Sequence, residues 1–430
     1  MKTVASWLVG GLLLCLAPLA LWAEEVPRAR PGNEGISAAK LERAAALVQE
    51  MVDKKEYAGA VTLVARHGKV VHLKAVGLMD MASAKPMQTD TIFRIYSMTK
   101  PITSVAAMML CEEGKLKLDD PVSKYIPELK GLRVYAGPGD RTVEARREIT
   151  VRDLLRHTSG FTYGAFSDSP VDKLYREKRV LDRTATLEQF TAKLAKLPLL
   201  YQPGTRFHYG VSTDALGRVV EAASGKPLDE FFAQRIFQPL GMVDTGFYVP
   251  AAKIDRLATN YGPGDNGDLK VIDDPKKSPY AAPAKFLSGG GGLVSTAHDY
   301  LRFCQMMLNG GQLEGARLLK PDTVRDMTRN QLPPESLPMT LPTNVTVKGL
   351  GFGLGFAVWM EPALDTGTSA GDHYWGGAAS TSFIISPRKQ AVIICLTQFM
   401  PLKNKLSDAF RRGVNAAMAD DGAASGGGKE

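Results

Sequence analysis

The chain is short of cysteine: four occur in 430 residues, at positions 15, 111, 304 and 395. That excludes a disulfide-rich scaffold. Cys15 falls in the N-terminal apolar run. The other three lie in apolar helix or strand patterns, which suits buried free thiols; one disulfide stays possible, with no pair singled out. Histidine is also scarce, six in all, and no Cys/His spacing matches a metal site, so no metal and no cofactor are expected. The net charge of +8 is dispersed. Without a Lys/Arg run or a basic stripe interleaved with aromatics, nucleic acid is not an expected partner. Beyond the N-terminus no stretch is long and apolar enough to span a bilayer, and no internal repeat is visible.

Residues 1–23 read as a secretory signal. Lys2 precedes an apolar run over 7–21, and Leu21-Trp22-Ala23 stands before Glu24-Glu25. The small Ala23 suits cleavage. The expectation is an exported protein, periplasmic or secreted, with no membrane span left in the mature chain; an uncleaved anchor is the alternative. Residues 418–430, with Ser425-Gly426-Gly427-Gly428, read as a disordered tail.

Between these ends the composition is ordinary for a globular protein, 44% apolar and 23% charged. Residues 37–54 form an amphipathic helix pattern with Leu41, Ala45, Val48 and Val52 on one side. Residues 58–65 and 69–77 are β-rich runs joined by the hairpin signal Arg66-His67-Gly68. Helical patterns follow at 187–197, 212–224, 228–236, 299–308 and 406–419. Strand patterns gather at 353–360, 374–380, 382–386 and 391–398. Residues 260–285 are rich in Gly, Pro and charge without a period and read as a long surface loop. Four glycines at 289–292 permit close approach. The layout predicts an α+β protein. An antiparallel sheet built from both chain ends is flanked by helices, with residues 37–100 and 286–417 forming an α/β domain. Residues 101–285 form a large, mainly helical insertion.

The candidate chemistry centres on residues 93–110. Pro101 is tolerated in a first helical turn, and the apolar residues from Val105 to Leu110 bury the helix. Ser97 and Lys100, three apart, share a helix face. A serine needs a base, and a lysine can serve if burial and the positive helix end favour its neutral form. The Ser97 N–H at the helix start is suited to holding an oxyanion. Two further Ser-x-x-Lys matches read differently: Ser37 as an N-cap before Lys40, and Ser386 to Lys389 as a hairpin turn. The Gly-x-Ser-x-Gly match at 367–371 lacks a strand before it and a helix after it, so Ser369 reads as a loop residue. Tyr209 sits at an extended-to-helix transition, where a side chain projects into a cleft or packs as a ring. The paired glycines in Trp375-Gly376-Gly377-Ala378 suggest a strand edge that a ligand approaches closely, or a bulge. His157 reads as structural. His208 and His373 flank these elements and read as solvated or hydrogen-bonded rather than as contacts to substrate.

These three elements, in this order, resemble the serine β-lactamase-related superfamily. The resemblance covers roughly residues 37–417. It is strengthened by Leu154-Leu155-Arg156-His157-Thr158-Ser159-Gly160 and by Asp214-Ala215-Leu216-Gly217 after Tyr209. The group includes class C β-lactamases, D-alanyl-D-alanine carboxypeptidases and family VIII carboxylesterases. The resemblance implies a β-lactamase/transpeptidase-like fold. It implies Ser97 as acylated nucleophile, Lys100 passing or holding its proton, and Tyr209 acting with Lys100 as general base, favoured as phenolate by the cation. It also implies an oxyanion hole from the backbone N–H groups of Ser97 and Ala378, with Trp375, Gly376 and Gly377 at the substrate. Two departures stand out. Penicillin-recognising members carry Lys-Thr-Gly or His-Thr-Gly where this chain has Trp375-Gly376-Gly377, and class C enzymes carry asparagine at the place of Val211. Both changes remove polar contacts suited to a β-lactam, and Trp-Gly-Gly is similar to family VIII esterases. The expected activity is hydrolysis of small-molecule carboxylic esters through an acyl-enzyme. The alternatives are a β-lactamase or D-alanyl-D-alanine carboxypeptidase, an acyltransferase, and a binding protein on the same fold. Substrate choice is expected from residues 163–171 and 260–285.

Overall fold

The computed structural model describes residues 26–418 except 140, 343 and 364. The signal-like segment, Cys15 and residues 419–430 of the tail lie outside the described residues. The centre of the fold is a sheet of eight strands. Three come from the N-terminal part: β1 (Gly59–Arg66), β2 (Lys69–Asp80) and β3 (Lys85–Pro86). Five come from the C-terminal part: β4 (Leu350–Phe352), β5 (Ala357–Trp359), β6 (His373–Gly377), β7 (Thr381–Ser386) and β8 (Ala391–Thr397). Their order is β4-β5-β6-β7-β8-β1-β2-β3, antiparallel at every pairing. The chain ends meet where β1 pairs with β8, from Ala60↔Thr397 to Arg66↔Ala391.

Helices α1 (Ala38–Asp53), α4 (Ala297–Leu308) and α5 (Lys405–Met418) pack on this sheet, and α2 (Thr99–Glu112) packs against α3 (Ser212–Ser224). Every residue of β1 and β8 is buried, because both faces of the sheet are covered. Ala60, Val64, Ile393 and Cys395 point to the face under α1 and α5. Val61, Leu63, Ile394 and Leu396 point into the larger core shared with α2, α3 and α4. Each such fully buried Val, Leu or Ile contributes roughly 1.5–3 kcal/mol. Ser37 caps α1 by accepting the Lys40 N–H at 3.4 Å. Cys111, Cys304 and Cys395 are free thiols. Burial pushes Cys111 up to about 11 and Cys395 up to about 12. No helix among the described residues is long and apolar enough to cross a membrane.

Between α2 and α4 run short helices. Three of them, Val151–Leu155, Pro170–Glu177 and Leu187–Leu194, each open on a capping box. Residues 260–285 depart from the expected structureless loop. Strands Asn260–Pro263 and Leu269–Asp273 pair as a hairpin, and two tight turns follow at Pro275–Lys277 and Pro279–Ala281. Two buried tyrosines pin the segment. The Tyr261 hydroxyl accepts the Met81 N–H at 2.7 Å, and Tyr280 joins a small core with Ile92, Val249, Leu257 and Val294. Asp273 pairs at 2.6 Å with Nε of the fully buried Arg94. That contact ties the hairpin to the strand leading into the Ser97 turn. Two anchors nineteen residues apart leave no period in the sequence. The expected strand over 374–380 also stops early: residues 378–380 turn, with Ser380 at φ +63°.

Candidate active site

Ser97 sits in a 3₁₀ turn, Tyr96–Met98, that runs directly into α2. The sequence reading placed it in the first α-helical turn; the turn is tighter and lies just ahead. Tyr96 has φ +42°, a strained value for a side chain with a Cβ. Surrounding contacts hold that conformation. Ile95 N–H donates to Leu293 O at 3.0 Å, the Tyr300 hydroxyl donates to Met98 O at 2.8 Å, and the Tyr96 ring meets Tyr280 edge-on at 6.4 Å. Residues i and i+3 eclipse in 3₁₀ geometry. Lys100 therefore falls beside Ser97, with Nζ 3.0 Å from Oγ.

Lys100 is 1% exposed. Its Nζ donates to Ser97 Oγ, to the Tyr163 hydroxyl at 2.9 Å and to Gly290 O at 2.6 Å. Three acceptors match the three donors of an ammonium group. The geometry thus suits a charged lysine, where the sequence reading looked to the neutral form. Tyr163 is pushed well above the usual phenol range, first by burial and then by Tyr209 and Asp214, so it stays a neutral acceptor.

Tyr209 lies just ahead of α3. Its hydroxyl is 2.7 Å from Ser97 Oγ, and Lys100 Nζ stands 4.7 Å from its ring centroid. His157, Tyr163, Phe166 and Trp375 wall the ring, with centroids 4.8 to 5.7 Å away. Trp375, in β6, is 6% exposed, and its indole N–H donates to the Tyr209 oxygen at 3.3 Å. The one donor of Trp375 thus addresses the tyrosine. Gly377 is set against the chain itself. A Cβ there would stand 2.3 Å from Ile95 O and 2.3 Å from Thr381 Oγ1, so the close approach is by the chain itself. A Cβ on Gly376 would meet only Thr381 O, at 3.1 Å. Ala378 follows in the turn after β6, which puts its backbone beside the residues preceding Ser97.

His157 stays with this cluster as a wall of the Tyr209 ring, whereas His373, Ser369 and Ser386 separate from it. His157 is buried, with Nε2 3.4 Å from Thr213 Oγ1, and is held well below the usual imidazole range by burial and then by Lys100. His373 is buried against Phe356, contacts Gly371 O at 3.0 Å, and is lowered by burial to about 4. Ser369 is in a loop whose N–H donates to Asp372 Oδ2 at 2.9 Å. Ser386 ends β7 before a turn. A cavity of about 320 Å³ opens beside Tyr209. Phe166, Phe207, His208, Pro338 and Leu341 give its walls, with Arg206 and Glu335 as charges. Residues 163–171 supply part of the lining, as expected. Residues 260–285 supply none; residues 335–344 do instead. The sequence pointed to 163–171 and to the glycines at 289–292, but not to Tyr163 and Gly290 as acceptors for Lys100. The available signals were the prolines at 333, 334, 338 and 342, and a tyrosine three residues after Gly160.

A Ser-Lys-Tyr cluster set against β6 of an antiparallel sheet drawn from both chain ends defines a serine hydrolase with the β-lactamase/transpeptidase-like fold. The Beta-lactamase family model matches residues 44–417, and the chain belongs to that family. It is 39% identical to Protein Rv1367c of Mycobacterium tuberculosis, over 83% of this chain and 89% of that one. It is 30% identical to Esterase EstB of Burkholderia gladioli, over 86% and 94%. The solved structure of EstCE1, described as a hydrolase with promiscuous acyltransferase activity, superposes with a TM-score of 0.75. That match has 29% identity and covers 88% of this chain and 99% of that one. Within its family the chain is a serine hydrolase of the carboxylesterase type.

Proposed function

We propose that the protein is exported and hydrolyses small-molecule carboxylic esters through an acyl-enzyme on Ser97. The observation that carries this is the position of Ser97 Oγ, held between the Tyr209 hydroxyl oxygen at 2.7 Å and Lys100 Nζ at 3.0 Å. Tyr209 enters as phenolate and takes the Ser97 proton while Oγ bonds to the ester carbonyl carbon. Lys100 stays an ammonium and offsets the negative charge passing between the two oxygens. The N–H groups of Ser97 and Ala378 receive the carbonyl oxyanion. Collapse breaks the ester C–O bond, and the departing alkoxide takes the proton from Tyr209. Water then attacks the acyl carbon, gives its proton to Tyr209, and the carboxylic acid leaves as Oγ is reprotonated.

Trp375 and Val211 argue against β-lactams, since neither offers the polar contact that penicillin-recognising relatives use; Val211 is wholly buried. Export rests on the signal pattern at residues 1–23. Acyl transfer to an alcohol other than water is the second reading. It uses the same acyl-enzyme and is favoured by the cavity beside Tyr209, whose mixed lining of rings and polar groups gives an organic acceptor both apolar contact and hydrogen-bond partners. The test compares the chain from Glu24 onward with Ser97→Ala on p-nitrophenyl butyrate and nitrocefin. Ester turnover that vanishes in Ser97→Ala, with negligible nitrocefin turnover, is expected. Full ester activity in Ser97→Ala would sink the mechanism, and nitrocefin as the better substrate would sink the ester reading.

A further inference from the structure

Asp214, in the first turn of α3, is 1% exposed. Its Oδ1 accepts the Ser288 hydroxyl at 2.5 Å and the Gly290 N–H at 3.1 Å. Its Oδ2 has no hydrogen-bond partner among the described residues. A buried carboxylate so incompletely satisfied is costly unless a cation offsets it. That cation is one residue away, because the carbonyl of the same Gly290 accepts from Lys100 Nζ at 2.6 Å.

The glycine run leaves no slack in this link. A Cβ on Gly290 would stand 2.4 Å from Asp214 Oδ2. A Cβ on Gly289 would stand 2.7 Å from Thr213 O and 3.1 Å from Thr103 Cγ2. Thr103, one turn along α2 from Lys100, donates to Gly289 O at 2.7 Å. The backbone of 289–290 is therefore a slab pinned to α2 by Lys100 and Thr103 and to α3 by Asp214.

We infer that Asp214 is a positioning residue for acylation, which fixes Lys100 through Gly290 and supplies the negative charge that keeps it an ammonium while Ser97 loses its proton. The inference rests on the roles given above to Ser97, Lys100 and Tyr209. The ionisable groups around Asp214 are few. Lys100 faces it from α2 and Tyr163 from the loop after Gly160; Tyr209 stands against Lys100, and His157 reaches Asp214's neighbour Thr213. Burial raises the Asp214 carboxyl, and Lys100 pulls it the other way.

The test follows phosphonylation of Ser97 by a fluorophosphonate against pH, which needs no ester substrate. The proteins are the mature chain and its Asp214→Asn, Asp214→Ser, Asp214→Glu and Ser288→Ala variants, each checked by thermal melting. Loss of a buried negative charge favours the less positively charged state of the surrounding cluster. The neutral variants are expected to label at least about tenfold more slowly at their optimum. Both limbs of their profiles move to lower pH by about one unit. Asp214→Glu and Ser288→Ala, which keep the charge, hold the wild-type limbs. A residue that only shaped the fold would slow labelling without moving the limbs. A profile for either neutral variant with wild-type limbs overturns the inference, as does an equal displacement in Ser288→Ala. Should p-nitrophenyl esters not be turned over, the labelling profile still decides the role of Asp214, and the failure falls on the ester reading alone.

Discussion

The indole N–H of Trp375 donates to the phenol oxygen of Tyr209 across 3.3 Å. The same indole packs against the Tyr209 ring at 5.3 Å and edge-on to Phe352 at 5.3 Å. In penicillin-recognising relatives the side chain at this place is a cation or imidazole addressed to a substrate carboxylate. Here the donor is turned inward onto Tyr209, the residue proposed above to take the serine proton. On that proposal Trp375 offers no anchor for a carboxylated substrate and gives the base a hydrogen-bond donor.

Trp375→Phe keeps the ring and deletes the donor. A hydrogen bond to a charged oxygen contributes about 1.5–3 kcal/mol, and the 3.3 Å length places this one at the lower end. The expected outcome is a kcat/KM on p-nitrophenyl butyrate about tenfold lower, with no gain on nitrocefin. Steady-state kinetics on both substrates check it. Unchanged kcat/KM would remove Trp375 from the base system.

Tyr163→Phe leaves Lys100 with two acceptors for three donors. An unmet donor on a buried charged group costs about 1–3 kcal/mol or more. The variant should therefore lose about ten- to hundredfold in kcat. Steady-state kcat for the variant beside the wild type checks it. An unchanged kcat would show that Lys100 does not need its third acceptor.

The sheet was legible because its strands are apolar and its connections short. The near-continuous apolar runs of β1 and β8 fall where two covered faces require them. The Ser97–Lys100 pair was legible because spacing alone places both on one face. What stayed hidden depends on contacts between distant residues. Tyr163 reaches Lys100 across 63 positions and Gly290 reaches it across 190, and neither distance leaves a local pattern. The same holds for the hairpin in 260–285, stabilised by Tyr261, Tyr280 and the Arg94–Asp273 pair. Gly377 was visible as a special position, but not its reason, because Ile95 and Thr381 meet there only in three dimensions.

Acid should weaken the fold through buried histidines before it protonates most carboxylates. His72, on β2, is 9% exposed, with Nε2 2.8 Å from Thr62 Oγ1 and its ring 5.5 Å from Phe410. Burial lowers it to about 4, and His373 is lowered to about 4 for the same reason. The unfolded chain takes up these protons near the ordinary value of about 6.5, whereas the native protein does so only near 4. Between those values the unfolded state holds more protons, so stability rises with pH and falls on acidification. For one such histidine the loss between about pH 7 and about pH 5 is about 2 kcal/mol. Urea midpoints at the two pH values should show it in the wild type. His72→Gln, which keeps a partner for Thr62 but cannot titrate, should lose about 2 kcal/mol less over the same interval. An equal loss in both proteins would mean that His72 is not among the groups that couple protons to folding.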